Sequence, residues 1–250
     1  MPDLLYTEPR LAAVYDRLYP LSQPTLDFYL PLILAARSVL DVGCGTGALL
    51  AAAREAGYSG RLCGLDPAAA MLAQARKRAG IEWICCEAGG LGRAREFDLA
   101  VMTGHAFQAL IEDAELRATL AAVRTALKSD GRFVFETRNP ADRAWEQWTP
   151  ERVLEVDDGQ GNRLRVTWQI EVPFDGRTVS FAETYTSTAW DTAQVSRSRL
   201  RFLDADGVGH FLAEAGFAIE EQFGHFDRRP LTRESPEIVT IARAQRAGAR

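Results

Sequence analysis

The sequence predicts an α/β fold, because an apolar strand, a glycine-rich loop and a helix follow one another near residue 40. Residues 38–47 read SVLDVGCGTG, and the apolar, β-branched start suits a strand buried on both faces of a sheet. Three alternate glycines then let the backbone turn sharply and approach a ligand closely. Good helix formers follow up to Gly57, which is placed to end the helix. This succession is the layout of a nucleotide-binding α/β unit.

Two details of the loop indicate the kind of ligand. The spacing is G-x-G-x-G, one residue shorter than the G-x-G-x-x-G of dinucleotide sites. Asp41 lies where the strand meets the loop, and a pyrophosphate about 5 Å from its carboxylate would be repelled by roughly 3 kcal/mol at an effective dielectric of about 20. An ammonium group would instead be attracted. S-adenosylmethionine combines a nucleoside with an ammonium group and has no phosphate.

Later segments continue the alternation of strands and helices. The next strand, residues 61–65, ends in Asp66, whose carboxylate is placed to accept hydrogen bonds from both hydroxyls of a ribose. Each such charge-assisted bond contributes about 1.5–3 kcal/mol. A helix is predicted at 68–79, and further strands are predicted at 81–86, 96–102 and 132–137.

Four motifs stand in order along the chain: VLDVGCGTG (39–47), GLDPAAAMLAQAR (64–76), the acid–alanine pair Glu87–Ala88 and LKSDGRFVFET (127–137). This set resembles the class I S-adenosylmethionine-dependent methyltransferases over residues 37–140, and more weakly over 206–244. The resemblance implies an α/β, Rossmann-like seven-stranded mixed sheet in the order 3-2-1-4-5-7-6, with the last strand antiparallel. The expected segments are an N-terminal helical lid (1–36), an S-adenosylmethionine-binding core (37–149 and 204–250) and a β insertion covering the substrate site (150–203).

The resemblance also implies which residues hold the cofactor. Met71 would pack on the adenine, although a methionine on an apolar helix face is also an ordinary core residue. Glu87 stands where the family commonly has an aspartate bonded to the adenine amino group. The loop after the fourth strand should face the sulfonium, because ligands bind at the carboxyl ends of the strands. The predicted cofactor-binding residues are Asp41, Gly43, Cys44, Gly45, Gly47, Asp66, Pro67, Met71, Glu87, Ala88, Thr103 and Gly104.

Three residues are predicted to act on the methyl acceptor. His105, after the fourth strand, is the best-placed general base; the alternative is a histidine that only hydrogen-bonds its own loop. Tyr15 and Tyr19 lie on an amphipathic helix predicted at 8–19, and the resemblance places them to reach the site. The alternative is that their rings simply pack in the lid interface. No metal site is predicted, because the four cysteines lack ligand spacing and a nearby histidine.

The segment 150–203 changes from helical to alternating periodicity. Apolar residues alternate with polar ones over 164–172, and Asp175-Gly176 is a turn signal before the next alternating strand. An antiparallel sheet of three or four strands with one apolar face is therefore expected, and that face must pack against another element. Its aromatic residues have three possible roles: to shape a substrate pocket, to form the sheet's own core, or to contact a second subunit.

The charge and motifs of the sequence argue against several classes of binding partner. A net charge of −5 argues against nucleic acids and anionic membranes, which require a basic face. The sequence shows no apolar run of about 18 residues and no signal-like start, so a cytoplasmic protein without a membrane partner is expected. The loop after the fourth strand lacks an Asn/Asp-Pro-Pro-aromatic motif, which argues against DNA and release-factor substrates. A small-molecule methyl acceptor is expected, with the protein a monomer or homodimer.

The predicted function is transfer of a methyl group from S-adenosylmethionine to an oxygen or nitrogen of a small molecule by direct displacement. Such a protein mainly aligns the reactants, and a hydroxyl acceptor also needs a base. One alternative is a non-catalytic S-adenosylmethionine-binding regulatory module, which methyl transfer to any acceptor would exclude. Another is an NAD-dependent oxidoreductase, which the short glycine spacing and Asp41 disfavour.

Overall fold

The computed structural model describes residues 3–245, which form two β-sheets. Residues 1–2 of the predicted lid and 246–250 of the predicted core lie outside the described residues. The strands are β1 (Ser38–Val42), β2 (Arg61–Asp66), β3 (Glu82–Cys85), β4 (Phe97–Met102), β5 (Leu127–Arg138), β6 (Val153–Asp157), β7 (Arg163–Val172), β8 (Thr178–Ser187), β9 (Gln194–Arg201), β10 (Phe217–Phe223) and β11 (Glu237–Ala244).

The described residues also form α-helices and short 3-10 helices. Within residues 3–245, no helix combines the length and apolar content needed to cross a membrane. The α-helices are α1 (Leu4–Thr7), α2 (Pro9–Leu18), α3 (Gln23–Ala35), α4 (Ala48–Glu55), α5 (Ala69–Ala75), α6 (Asp113–Ala126) and α7 (Ala205–Glu214). Short 3-10 helices span Ala88–Gly90, Ala106–Ala109, Pro140–Asp142 and Ala144–Gln147.

The larger sheet has seven strands in the order β10-β11-β5-β4-β1-β2-β3, and β11 runs antiparallel to both of its neighbours. This is the order 3-2-1-4-5-7-6, so the predicted fold class is confirmed. Strand β1 is central, and all five of its residues are buried. The parallel strands β1 to β5 end at one edge of the sheet, so the loops that follow them meet there.

Apolar layers cover both faces of this sheet. On one face, Leu120 of α6 belongs to the same buried layer as Phe133 of β5. On the other face, Ile33 of α3 and Leu50 of α4 share a layer with Val134 of β5. Adjacent residues of β5 thus point into opposite layers, as the two-residue period of a strand requires. The sheet is therefore a rigid frame for the loops at its carboxyl edge.

Strands β6 to β9 form a separate antiparallel sheet of four strands in chain order, which confirms the predicted β insertion in the fold. Its alternation is as predicted, with Leu164, Val166 and Trp168 buried on one face. The same buried layer contains Leu11 and Leu18 of α2. The apolar face of the small sheet therefore shares one core with α1 and α2, which we call the N-terminal helices.

Trp83 on β3 lies beside the glycine loop and was not singled out from the sequence. A Cβ placed on Gly64 of β2 would lie 2.5 Å from Cζ3 of the Trp83 ring and 2.9 Å from Cys44 Sγ. A Cβ on Gly47 would also clash with this ring. The indole therefore fills the space beside both glycines and packs β3 against the start of α4.

Gly64→Ala is expected to destabilise the fold by roughly 1–3 kcal/mol, because the added methyl group overpacks a site bounded by a ring and a sulfur atom. Thermal denaturation measures this loss. Gly90→Ala is the matched control, since nothing lies within 4 Å of a Cβ at that position. Equal melting temperatures for the two variants would contradict the tight packing of Trp83.

Candidate functional site

The loop between β1 and α4 is fixed by backbone hydrogen bonds and left-handed glycines. The N–H groups of Gly43 and Cys44 both donate to Leu65 O at 2.9 Å. Gly43, Gly45 and Gly47 have φ angles of +73°, +54° and +75°, which other residues rarely adopt. The structure therefore brings these four predicted residues together against the end of β2.

Asp66 joins this loop to the start of α5. Its Oδ2 accepts a hydrogen bond from Gly45 N–H at 2.9 Å, and its Oδ1 accepts one from Ala68 N–H at 2.8 Å. Burial raises the pKa of Asp66, and these two hydrogen bonds lower it. A carboxylate oxygen has two lone pairs, so each retains capacity for a ribose hydroxyl. Pro67, also predicted here, lies between Asp66 and Ala68.

Asp41 is a buried acid with one oxygen left over. Its side chain is 1 % exposed, and within residues 3–245 its Oδ1 has no hydrogen-bond partner. Burial, followed by the charges of Asp66 and Glu136, raises the pKa of Asp41 to about 8. A positively charged group would offset both the burial and the repulsion. The site therefore fits a ligand with an ammonium group.

Met71 borders the loop on the α5 side. A Cβ on Gly45 would lie 3.7 Å from Met71 Cε. Met71 also packs with Ala12 of α2, and the rings of Tyr6 and Tyr15 pack against the same cluster. The N-terminal helices thus cover the position that the resemblance gives to the adenine.

The other four predicted cofactor residues follow β3 and β4. Glu87 is exposed, and Ala88 begins a 3-10 helix and packs partly against the core. Thr103 and Gly104 follow β4, with Gly104 left-handed at φ +66°. The structure places all four at the carboxyl edge of the sheet, where the loops of parallel strands meet.

His105 interacts with two glutamates. Its backbone is left-handed, with φ +60°, and its N–H donates to Glu136 Oε1 at 3.2 Å. Its Nε2 lies 3.0 Å from both carboxylate oxygens of Glu237. Glu237 begins β11 and pairs with Arg138 across the strands. No pattern in the sequence indicates Glu237. It reaches the loop after β4 only because β11 pairs antiparallel with β5.

Glu136 holds the His105 loop in place. It is 1 % exposed, and Tyr29 of α3 donates a short hydrogen bond to its Oε2. Burial raises the pKa of Glu136, while His105 and the Tyr29 hydroxyl lower it. In the sequence, this role of Glu136 is indicated only by its position near the end of the fifth strand.

Tyr15 lies on α2 and Tyr19 caps the end of this helix, and the centroids of their rings are 5.3 Å apart. Tyr19 donates a hydrogen bond to Glu183 Oε1 at 2.8 Å, and its oxygen lies 3.3 Å from that of Tyr185. Burial and the charge of Glu183 raise the pKa of both Tyr15 and Tyr19. Both phenols therefore stay protonated near neutral pH, and a neutral phenol is a poor proton acceptor. No hydrogen bond joins them to His105 within the described residues.

Asp16 ties the N-terminal helices to the glycine loop. Its Oδ1 accepts a hydrogen bond from Thr46 Oγ1 at 2.5 Å, and its Oδ2 lies 2.7 Å from Arg78 Nη2. Thr46 is almost fully buried between the glycines. Sequence reasoning did not find this contact, because Asp16 lies on the polar side of a predicted amphipathic helix.

Part of the chain is similar in sequence to known methyltransferases. Residues 39–131 match a family model described as a methyltransferase domain. A protein of Geobacillus sp. (strain WCH70), named as a methyltransferase, is 29 % identical over 109 residues. That match spans 42 % of this chain and 43 % of the relative, so the chain covers less than half of the length of this curated relative.

Solved structures share the fold over nearly the whole chain. An S-adenosylmethionine-dependent methyltransferase from Clostridium acetobutylicum ATCC 824 has a TM-score of 0.77 and 17 % identity, with 95 % of this chain and 98 % of that one covered. CalS10, an amino pentose methyltransferase from Micromonospora echinaspora solved with S-adenosylmethionine bound, has a TM-score of 0.67 and 23 % identity, covering 92 % and 95 %.

At these identities the structures establish the fold, which is that of the class I methyltransferases. The sequence match to the methyltransferase domain falls on the strands and loops that carry the site. The chain therefore has the fold of the class I methyltransferases, and residues 39–131 resemble a methyltransferase domain in sequence.

Asp41→Asn is expected to raise the melting temperature of the ligand-free protein, and most at alkaline pH. The folded-state pKa of about 8 exceeds the ordinary 3.8, so the stabilising contribution of the neutral acid is present below the ordinary value. That contribution is lost as the pH rises through about 8, and asparagine does not lose it.

Thermal denaturation of parent and variant from about pH 5 to about pH 9 checks this, with exposed Asp206→Asn as the control. A gap between Asp41→Asn and parent that does not change with pH would contradict the buried titration.

Proposed function

We propose that the protein transfers a methyl group from S-adenosylmethionine to an oxygen or nitrogen of a small-molecule acceptor by direct displacement. The observation that carries this proposal is Asp41, a buried acid whose Oδ1 lacks a partner in the range 3–245, beside a loop anchored by Asp66. A cationic nucleoside without phosphate suits that arrangement, whereas the pyrophosphate of a dinucleotide would be repelled.

The cofactor would be held by residues on several loops of the carboxyl edge. Asp41 would attract the ammonium group, Asp66 would accept the ribose hydroxyls, and Met71 would pack on the adenine. Glu87 and Ala88 would border the adenine edge, and the glycine loop would approach the methionine part closely. When bound, the cofactor supplies an electrophilic methyl group on a sulfonium, so the chain's own residues mainly align the acceptor.

His105 is proposed as the base for an acceptor that must lose a proton. The Glu237 carboxylate beside Nε2 favours the tautomer that carries its proton on Nε2. Nδ1 is then the proton acceptor, and Glu237 stabilises the resulting positive charge. Tyr15 and Tyr19 are proposed to contact the acceptor as neutral phenols, since burial raises the pKa of both and keeps them protonated.

The acceptor is proposed to be a small molecule. The overall negative charge and the amino pentose named for CalS10 support this class. We also propose that the protein works in the cytoplasm as a monomer or homodimer. The four cysteines within residues 3–245 are free thiols, which is typical of a reducing compartment.

Asp66→Ala is expected to weaken binding of S-adenosylhomocysteine at least about tenfold, because it removes charge-assisted hydrogen bonds to the ribose. Isothermal titration calorimetry of parent and variant measures this. The exposed Asp206→Ala should bind as the parent does. A well-folded parent that does not bind S-adenosylhomocysteine would overturn the cofactor assignment. Binding without methyl transfer across a screen of amino and hydroxy sugars would favour a regulatory module instead.

His105→Gln is expected to lower turnover by about 10²–10⁴-fold with an acceptor found in that screen, because it removes the general base. Its affinity for S-adenosylhomocysteine should stay unchanged. Release of S-adenosylhomocysteine over a pH series measures the effect. His210→Gln, on the exposed side of α7, is the matched control. Unchanged turnover and pH profile in His105→Gln would contradict the assignment.

A further inference from the structure

One carboxylate stands in the middle of the apolar face of the four-stranded sheet. Val179, Phe181 and Tyr185 alternate along β8 and all point into the core shared with the N-terminal helices. Glu183 occupies the position between Phe181 and Tyr185 on that same face, and it is only 5 % exposed. Burial raises the pKa of Glu183, so its environment disfavours the charged form unless a cation is near.

Hydrogen bonds hold this carboxylate in one orientation. Its Oε1 accepts a bond from Trp168 Nε1 at 2.9 Å and one from the Tyr19 hydroxyl at 2.8 Å. Trp168 lies opposite on β7, and Tyr19 comes from the end of α2. Within the described part of the chain, Glu183 forms no ion pair with a lysine, arginine or histidine. Neutral donors therefore position the charge, and no protein cation neutralises it.

Aromatic rings connect Glu183 with the cofactor side of the site. The centroids of Tyr6 and Tyr15 are 6.0 Å apart, and those of Tyr15 and Tyr19 are 5.3 Å apart. Tyr6 and Tyr15 also pack against the cluster around Met71. The charges of both Glu183 and Asp66 raise the pKa of Tyr15, so this tyrosine lies near both acids.

A buried carboxylate surrounded by aromatic faces is suited to a cation. Ring faces attract a positive charge, and the attraction strengthens when water is excluded. The three tyrosine rings supply such faces, and Glu183 supplies the opposite charge. The Trp168 ring already has the Arg152 guanidinium over it, 5.1 Å from its centroid, so Trp168 contributes its hydrogen bond to Glu183 and not a free face. Arg138 also lies near Tyr15, but its guanidinium is over the Trp148 ring and bonded to Gln108 Oε1 at 2.9 Å. It is therefore engaged elsewhere.

We propose that Glu183, with the rings of Tyr6, Tyr15 and Tyr19, forms a subsite for an ammonium group, so that the methyl acceptor carries a basic amine. This assignment rests on the proposed methyltransferase function and names its substrate class. A neutral hydroxyl at the same place would leave the buried carboxylate without a counter-charge. The subsite thus selects an amine-bearing small molecule over its hydroxyl analogue.

Ligand-detected NMR titrations with two matched pairs test the subsite: cyclohexylamine against cyclohexanol, and D-glucosamine against D-glucose. Near neutral pH, the parent is expected to bind each amine at least about tenfold more tightly than its partner. Glu183→Gln should reduce that ratio at least about fivefold, since glutamine keeps the acceptor for Tyr19 and Trp168 but has no charge.

Glu171→Gln is the matched control, because Glu171 is exposed on the small sheet and pairs with Arg197. This variant should keep the parent's ratio. Tyr15→Leu, which removes one ring and leaves the carboxylate, should weaken amine binding about two- to fivefold. A parent without amine preference, or Glu183→Gln with an unchanged ratio, would overturn the proposal.

Parallel calorimetry with S-adenosylhomocysteine separates this proposal from the function on which it rests. If S-adenosylhomocysteine binds and no amine preference exists, only the subsite is wrong. If amines are preferred and S-adenosylhomocysteine does not bind, the methyltransferase assignment is wrong while the cation subsite stands. The Glu183→Gln variant should have a melting temperature equal to or above that of the parent, because the substitution removes a buried carboxylate that has no counter-charge.

Discussion

The hydrogen bonds of Asp66 to Gly45 and Ala68 are the contacts on which the site depends. They join the glycine loop, the end of β2 and the start of α5 through one carboxylate. The three loop glycines adopt left-handed conformations and have no side chains that could hold them there. The shape of the loop comes from this acid, from the backbone hydrogen bonds to Leu65, from the Thr46 contact with Asp16 and from the Trp83 ring beside it. The positions of Asp41 and Met71 follow from that shape.

Buried acids give the interior of this domain an unusual electrostatic character. Asp66 and Glu136 lie close enough to Asp41 that the charge of each disfavours its ionisation. Hydrogen bonds from the backbone or from phenols partly compensate two of them, and Glu183 is compensated in the same way on the small sheet. Such an interior attracts cations, because a positive group placed near these acids stabilises the charged form of several carboxyl groups at once.

Local patterns were sufficient to predict the fold but not the contacts between distant segments. The glycine spacing, the strand ending in Asp66 and the two-residue alternation of the insertion each appear within a short window, and each is present in the structure. The contacts of His105 with Glu237 and of Tyr19 with Glu183 join residues more than a hundred positions apart. Neither glutamate carries a local signal, since only the docking of separate elements brings each to its partner.

The shared core of the N-terminal helices and the four-stranded sheet has a mechanical consequence. Because α2 and β8 bury their apolar side chains in one layer, a motion that uncovers the glycine loop carries both along as one rigid cover. Its attachments to the loop and α5 are the polar contacts of Asp16 and a small apolar patch around Met71. An opening above the glycine loop would therefore have to break these contacts, while the core shared by α2 and β8 stays intact.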